Sequence, residues 1–155
     1  METRLVIDAS VWVSWFTESD VNYSASRRWM ERYFTAGGLL LAPTFLLVEV
    51  AAAISRRIGQ PEVARKTVKE LFQVPAMRFI SPTAALFWAE VEVAADLQLR
   101  AGDASYVTLA RQLNIPLVCW DREQLQKAGS LVATYTPSNY PFQDVPLPSL
   151  DNPPL

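Results

Sequence analysis

The chain has 155 residues and a formal net charge of −2; half of it is hydrophobic and 19% is charged. This is ample for one packed domain and too apolar for a disordered chain. It has no histidine and a single cysteine, Cys119. Histidine general bases, Ser-His-Asp and Cys-His triads, His-ligated zinc, an internal disulfide and an all-cysteine zinc site are therefore excluded within the chain.

A lone thiol suits a reducing cytoplasm. The charged start of Met1–Asp8 is followed by only three apolar residues, unlike a signal peptide. The longest apolar stretch, Leu39 to Val48, is interrupted by Pro43 and Thr44 and falls short of the roughly 20 residues of a membrane span. The expectation is a soluble cytoplasmic protein that makes no membrane contact. With five glycines and no glycine-rich loop, phosphate-cradling and dinucleotide-binding fingerprints are absent.

Short apolar runs alternate with helical patterns in chain order. Leu5–Ile7 reads as a strand, Ser10 to Phe16 and Asn22 to Ala36 as helices, and Leu39–Leu41 as a second strand. Thr44 is placed to cap a helix through Ile58, stopped by Gly59, and Pro61 suits the first turn of a helix to Gln73. Arg78–Ile80 reads as a third strand, followed by helices over Thr83 to Leu99 and Asp103 to Leu113. Leu117–Trp120 reads as a fourth strand, Arg122 to Lys127 as a short helix and Leu131–Ala133 as a last strand. This alternation predicts an α/β protein, a three-layer α/β/α sandwich around a mostly parallel central sheet. The domain is expected over residues 1–136. Residues 137–155 hold six of the eleven prolines, two acids and no base, and read as a proline-rich tail in which Tyr140 and Phe142 are available as anchors.

Four acids stand in costly places. Asp8 ends the first strand, Glu49 lies inside a helix apolar on nearly every face, Asp103 follows Arg100-Ala101-Gly102, and Asp121 closes the fourth strand. Ligands of a parallel α/β sheet bind beyond the C-terminal ends of its strands, and both strand-end acids belong to that edge. Local explanations exist: Asp103 and Asp121 as helix N-caps, Asp8 as a turn residue, Glu49 as the partner of a buried arginine. Together, with no histidine available, they suggest a hard-cation site for Mg2+ or Mn2+. Ser10 has a hydroxyl able to orient an acid or a water.

These residues resemble the PIN-domain family, most closely its VapC-like bacterial toxins. The resemblance lies in the ordered set Val6-Ile7-Asp8-Ala9-Ser10, Glu49 in an apolar helix, Leu99-Arg100-Ala101-Gly102-Asp103-Ala104, and Ile115-Pro116-Leu117-Val118-Cys119-Trp120-Asp121, over residues 4 to about 135. It implies a divalent-metal-dependent endoribonuclease in which Asp8, Glu49, Asp103 and Asp121 hold Mg2+ (or Mn2+) and Ser10 is the small hydroxyl residue after the first acid. The implied products are a 5′-phosphate and a 3′-hydroxyl. A cognate antitoxin and a homodimer are the implied protein partners. One position departs from the family pattern: Cys119 stands where threonine or serine is usual.

A bound cation acidifies water, so such a site needs no histidine base. With four acids committed to metal, residues 1–136 keep 14 bases against ten other acids. Arg56, Arg57, Arg65, Lys66, Lys69, Arg100 and Arg122 are candidates to hold RNA phosphates, or else belong to solvated helix faces. Trp12, Trp15, Phe16, Trp29 and Tyr33 read as core residues, the first three alternatively as an exposed patch for a partner or a base. The alternative function is a non-catalytic module that binds RNA or protein on the same fold. A response-regulator or dehalogenase-like fold would need a lysine late in the sheet, where only Lys127 is available.

Overall fold

The computed structural model describes residues 3–142. The elements run β1 (Arg4–Ile7), α1 (Ala9–Phe16), α2 (Tyr23–Thr35), β2 (Leu39–Pro43), α3 (Phe45–Ile58), α4 (Pro61–Phe72) and β3 (Met77–Ile80). Then follow α5 (Ala84–Leu97), α6 (Ala101–Leu113), β4 (Leu117–Val118), α7 (Arg122–Ala128) and β5 (Thr134–Tyr135). The five strands form one sheet in the order β3-β2-β1-β4-β5, and every neighbouring pair is parallel. This is the expected three-layer α/β/α fold. None of the described helices is long and apolar enough to cross a membrane.

The sequence accounts for most boundaries. Leu5, Val6, Ile7, Leu40, Leu117 and Val118 are fully buried, as strands covered on both faces require. Gly59 caps α3 with φ 71°, a left-handed conformation that glycine adopts without strain. Pro61 opens α4, where its missing N–H costs nothing. The Thr83 hydroxyl accepts from the Leu86 amide and caps α5.

The chain leaves β1 toward β2 and β3, then returns past β1 to β4 and β5. Right-handed crossovers put α1–α4 on one face and α5–α7 on the other. The packing agrees: α1 touches α2 and α3, α3 touches α4, and α6 lies across β1, β2 and β4 with α5 against it. The direction reverses between β1 and β4, so the crevice beyond their C-terminal ends is the topological switch point.

Several expectations need correction. Thr44 does not cap α3 through its side chain; its backbone is already helical, because β2 runs straight through Pro43 into the first turn. The β4 ladder stops at Val118 rather than Trp120. The Cys119 amide still reaches the Tyr135 carbonyl, but the amides of Trp120 and Asp121 turn to the Ser10 hydroxyl and the Cys119 sulfur. Leu131–Ala133 is not the last strand: the Ala128 carbonyl takes the amides of Leu131 and Val132, the Ala133 carbonyl accepts the Leu117 amide, and the paired residues are Thr134 and Tyr135. The aromatic residues of α1 and α2 belong to packing. Trp12, Trp29 and Tyr33 are buried, while Trp15 packs edge to face against Trp12 and Phe16, and Phe16 stacks on Trp12. From the tail, Tyr140 packs on Trp29 and Tyr33, and Phe142 lies under the Arg32 guanidinium at 4.1 Å. Residues 143–155 of the expected tail lie outside the described residues.

Candidate active site at the sheet switch point

Asp8 follows β1 directly and is 6% exposed. Its Oδ2 accepts the Ser10 amide at 2.7 Å, so it caps α1 as well as lying at the switch point. Asp121 lies three residues past β4 and caps α7 by accepting the Gln124 amide at 3.0 Å. The cap expected of Asp121 thus forms, Asp8 is a helix cap rather than a turn residue, and both stand at the same crevice. Ser10 ties the two strand ends: its hydroxyl bonds Asp8 and accepts the Trp120 amide at 3.0 Å.

Glu49 and Asp103 arrive from opposite faces of the sheet. Asp103 does not open α6; Arg100 occupies the N-cap, and Asp103 is the third helical residue. Glu49 has no arginine partner among the described ion pairs. Its Oε2 instead accepts the hydroxyl of Tyr106, which is fully buried on α6. The helices approach closely because Gly102 stands opposite Glu49. A Cβ at Gly102 would lie 2.7 Å from Glu49 Oε1 and 3.0 Å from the Phe45 ring. We expect Gly102→Ala to displace the Glu49 carboxyl while leaving the fold intact. The check is Mn2+ affinity by calorimetry, expected to fall about tenfold or more, with an unchanged circular-dichroism spectrum.

The acids are electrostatic neighbours. Burial and the charges of Asp8 and Asp103 push Glu49 up to about 7, against the bond from Tyr106. Burial, with Asp8 and Asp121 nearby, pushes Asp103 up to about 6. Burial raises Asp8 too, opposed by its bonds to Ser10 and Gln124, with the Asp121 charge adding to the rise. Such shifts mark negative charge that the protein does not itself neutralise. Among the described residues Asp8, Glu49 and Asp103 join no ion pair; Arg100 stands 3.9 Å from Asp121 and from Glu123, and its charge only partly offsets the rise at Asp103. Among the same residues no three Asp, Glu or Cys side chains form a ready-made ligand group. Mg2+ keeps several waters and is commonly held by only one or two carboxylates, so a loose set of acids suits it.

Sequence reasoning missed Gln124. It is 1% exposed and works in four directions. Its amide bonds the Asp8 carboxyl and the Asp103 carbonyl, its Oε1 accepts from the Cys119 thiol at 3.0 Å, and its own N–H reaches Asp121. The signal was the Asp121-x-x-Gln124 spacing of a capping box, of which only the Asp121 half forms. Cys119, fully buried, does the work expected of a hydroxyl: its sulfur accepts the Asp121 amide at 3.0 Å. Burial and the nearby acids raise its thiol pKa, which keeps it protonated and able to donate to Gln124. Gln124→Leu removes the side-chain amide from Asp8, the Asp103 carbonyl and the Cys119 thiol, and leaves the backbone N–H to Asp121. We expect a loss of about 1–3 kcal/mol in chemical denaturation.

The cations distribute unevenly. Arg57 pairs with Asp20 at 2.7 Å, Arg65 with Glu62, and Lys66 with Glu70 at 3.8 Å. Arg65 and Lys66 are thus paired along their own helix, while Arg100 is an exposed base beside Asp121.

The PIN-domain family model matches residues 5–130. VapC20 of Mycobacterium tuberculosis, a sarcin-ricin loop cleaving toxin, shares the fold at a TM-score of 0.64 and 18% identity, over 83% of this chain and 96% of that one. VapBC2 of Rickettsia felis, solved bound to a DNA fragment from its promoter, gives a TM-score of 0.65 at 11% identity, covering 86% of this chain and 98% of its own. FitAcB of Neisseria gonorrhoeae gives 0.63 at 14% identity, covering 88% and 99%. No curated protein sequence matches. From residue 5 to residue 130, with its acids gathered at the switch point of a parallel sheet, the chain belongs to the PIN-domain family.

Proposed function

We propose that the protein is a divalent-metal-dependent endoribonuclease, the toxin of a toxin–antitoxin pair. The observation that carries this reading is a set of mutually repelling acids at the switch point, three of which join no ion pair among the described residues. Asp8, Glu49, Asp103 and Asp121 would hold Mg2+ or Mn2+. When bound, the cation would supply Lewis-acid polarisation of a phosphodiester and a more acidic water.

The chain's own residues do the rest. Ser10 and Gln124 fix the Asp8 carboxyl, Cys119 and the α7 terminus fix Asp121, and Tyr106 fixes Glu49. Arg100, exposed at the mouth, is placed to meet a phosphate that approaches Asp121. Residues 1–136 form the nuclease unit and 137–155 a proline-rich extension. The likeness to VapBC2 and FitAcB supports a cognate antitoxin as partner. Cytoplasmic residence belongs to the same proposal.

A homodimer is part of the same proposal. On α5, Phe87, Trp88 and Val91 are 53%, 65% and 40% exposed, a face fit to meet a second copy. Trp88→Glu is expected to turn a dimer into a monomer in light scattering.

The test is purified protein with RNA and Mn2+, beside the same mixture with chelator. Cleavage that requires Mn2+ is expected. Neither cleavage of any RNA nor Mn2+ binding by calorimetry would assign the chain to the non-catalytic binding module instead.

A further inference from the structure

Beside the acids lies a cavity of about 280 Å³. It shares Ser10 and Asp121 with the acidic site, and its other walls include Val13, Trp120, Asp20 and Arg57. Anything seated there lies directly against the position that the acids address. Its volume is just under the roughly 300 Å³ at which small-molecule sites begin, which gives room for a single nucleobase. Val13 and Trp120 offer apolar and aromatic wall; Asp20 and Arg57 offer a polar end.

The polar end is fixed. Asp20 Oδ1 accepts the Asn22 amide at 2.9 Å and Oδ2 accepts from Arg57 Nη1 at 2.7 Å. The Asp20 side chain is only 13% exposed, while Arg57 is 45% exposed. Arg57 thus reaches from the end of α3 to the α1–α2 connection and sets the carboxylate plane. Each Asp20 oxygen can accept a further bond, so the group offers acceptors and no donor to the cavity it lines. Trp120 is itself held, its indole N–H donating to the Ser26 hydroxyl at 2.8 Å and its amide to Ser10.

We propose that this cavity is a guanine pocket that receives one unpaired base of the RNA strand beside the cleavage position. The proposal rests on the nuclease reading above. Single-stranded RNA is read by splaying a base against apolar or aromatic wall and bonding its pairing edge. Of the four bases only guanine carries two adjacent N–H donors on that edge. Adenine and cytosine set one amino donor beside an acceptor, and uracil flanks one donor with two acceptors. Two carboxylate oxygens match guanine and leave each of the others with an unpaired or repelled group.

The experiment titrates the wild-type protein and Asp20→Asn with guanosine, adenosine, cytidine and uridine in chelator, following the Asn22 amide and the Trp120 indole N–H by NMR. Guanosine is expected to move both signals and to bind about tenfold more tightly than the other three. Asp20→Asn is expected to erase the preference; should it not fold, Arg57→Gln, at the exposed helix end, is expected to weaken it. Equal binding of all four nucleosides, binding of none, or a guanosine preference that survives both substitutions overturns the pocket. Mn2+-dependent cleavage without base preference overturns the pocket and spares the nuclease. An absence of cleavage overturns the nuclease reading, and the nucleoside titration still decides the pocket.

Discussion

Asp8→Asn is expected to abolish Mn2+-dependent RNA cleavage while making the metal-free protein more stable. Asp8 is the most buried of the four acids, and its pKa is raised chiefly by desolvation, with the Asp121 charge adding to it. Asparagine keeps an acceptor for the Ser10 amide but removes a buried charge that no base neutralises. Removing the charge relieves desolvation and repulsion, so thermal unfolding in chelator should shift upward. The same change takes an anionic ligand from the proposed ion. Loss of even an outer-shell partner costs about 10–100-fold in affinity or activity, so loss of a ligand should exceed about 100-fold. The pair of outcomes is the diagnostic part. A merely structural aspartate would lose stability and activity together. Thermal melts in chelator and cleavage assays in Mn2+, on one preparation, check both.

The second large effect is a pH dependence that a divalent cation reverses. Folding raises Glu49 from 4.5 to about 7 and Asp103 from 3.8 to about 6. A carboxyl whose folded pKa lies above its unfolded one binds more protons when native, so stability falls as pH rises between the two values. Below about pH 4 both states are protonated and there is no penalty; above about pH 7 it is complete. With allowance for solvent screening at these half-exposed groups, the loss is about 1–3 kcal/mol in all. That corresponds to about 3–10 °C of melting temperature for a chain of this size. Millimolar Mg2+ or Mn2+ binds the ionised acids, so the same scan with metal should be flat or rise toward pH 8. Melting curves at pH 5, 6, 7 and 8, with and without cation, measure this. A chelator profile that rises with pH contradicts the acidic cluster.

Much of the fold was legible because its signals are local. Leu5–Ile7 and Leu39–Leu41 could only be buried strands, and Gly59 and Pro61 mark a helix end and the next start by backbone chemistry alone. Glu49 was legible for a related reason: a carboxylate among leucine, valine and alanine requires compensation wherever it lies. The illegible parts depend on tertiary partners. Gln124 is an ordinary helix residue until α7 lies over the start of α6, where its amide meets Asp8 and Asp103. The end of β4 depended on the Ser10 hydroxyl claiming the Trp120 amide across 110 residues. The last strand was displaced to Thr134 because Ala128, at the end of α7, holds the amides that Leu131 and Val132 would have given to the sheet. Cys119 was legible as a departure but not in its effect, since its bonds to Asp121 and Gln124 exist only in the assembled turn.

In the proposed site, Asp8, Glu49, Asp103 and Asp121 share one hard cation. The direct measurement is anomalous diffraction from crystals soaked in Mn2+. A manganese peak is expected at the switch point, about 2.1 Å from carboxylate oxygens of Asp8 and at least one other of these acids. No peak there at millimolar Mn2+, or one held only by residues elsewhere, would contradict it.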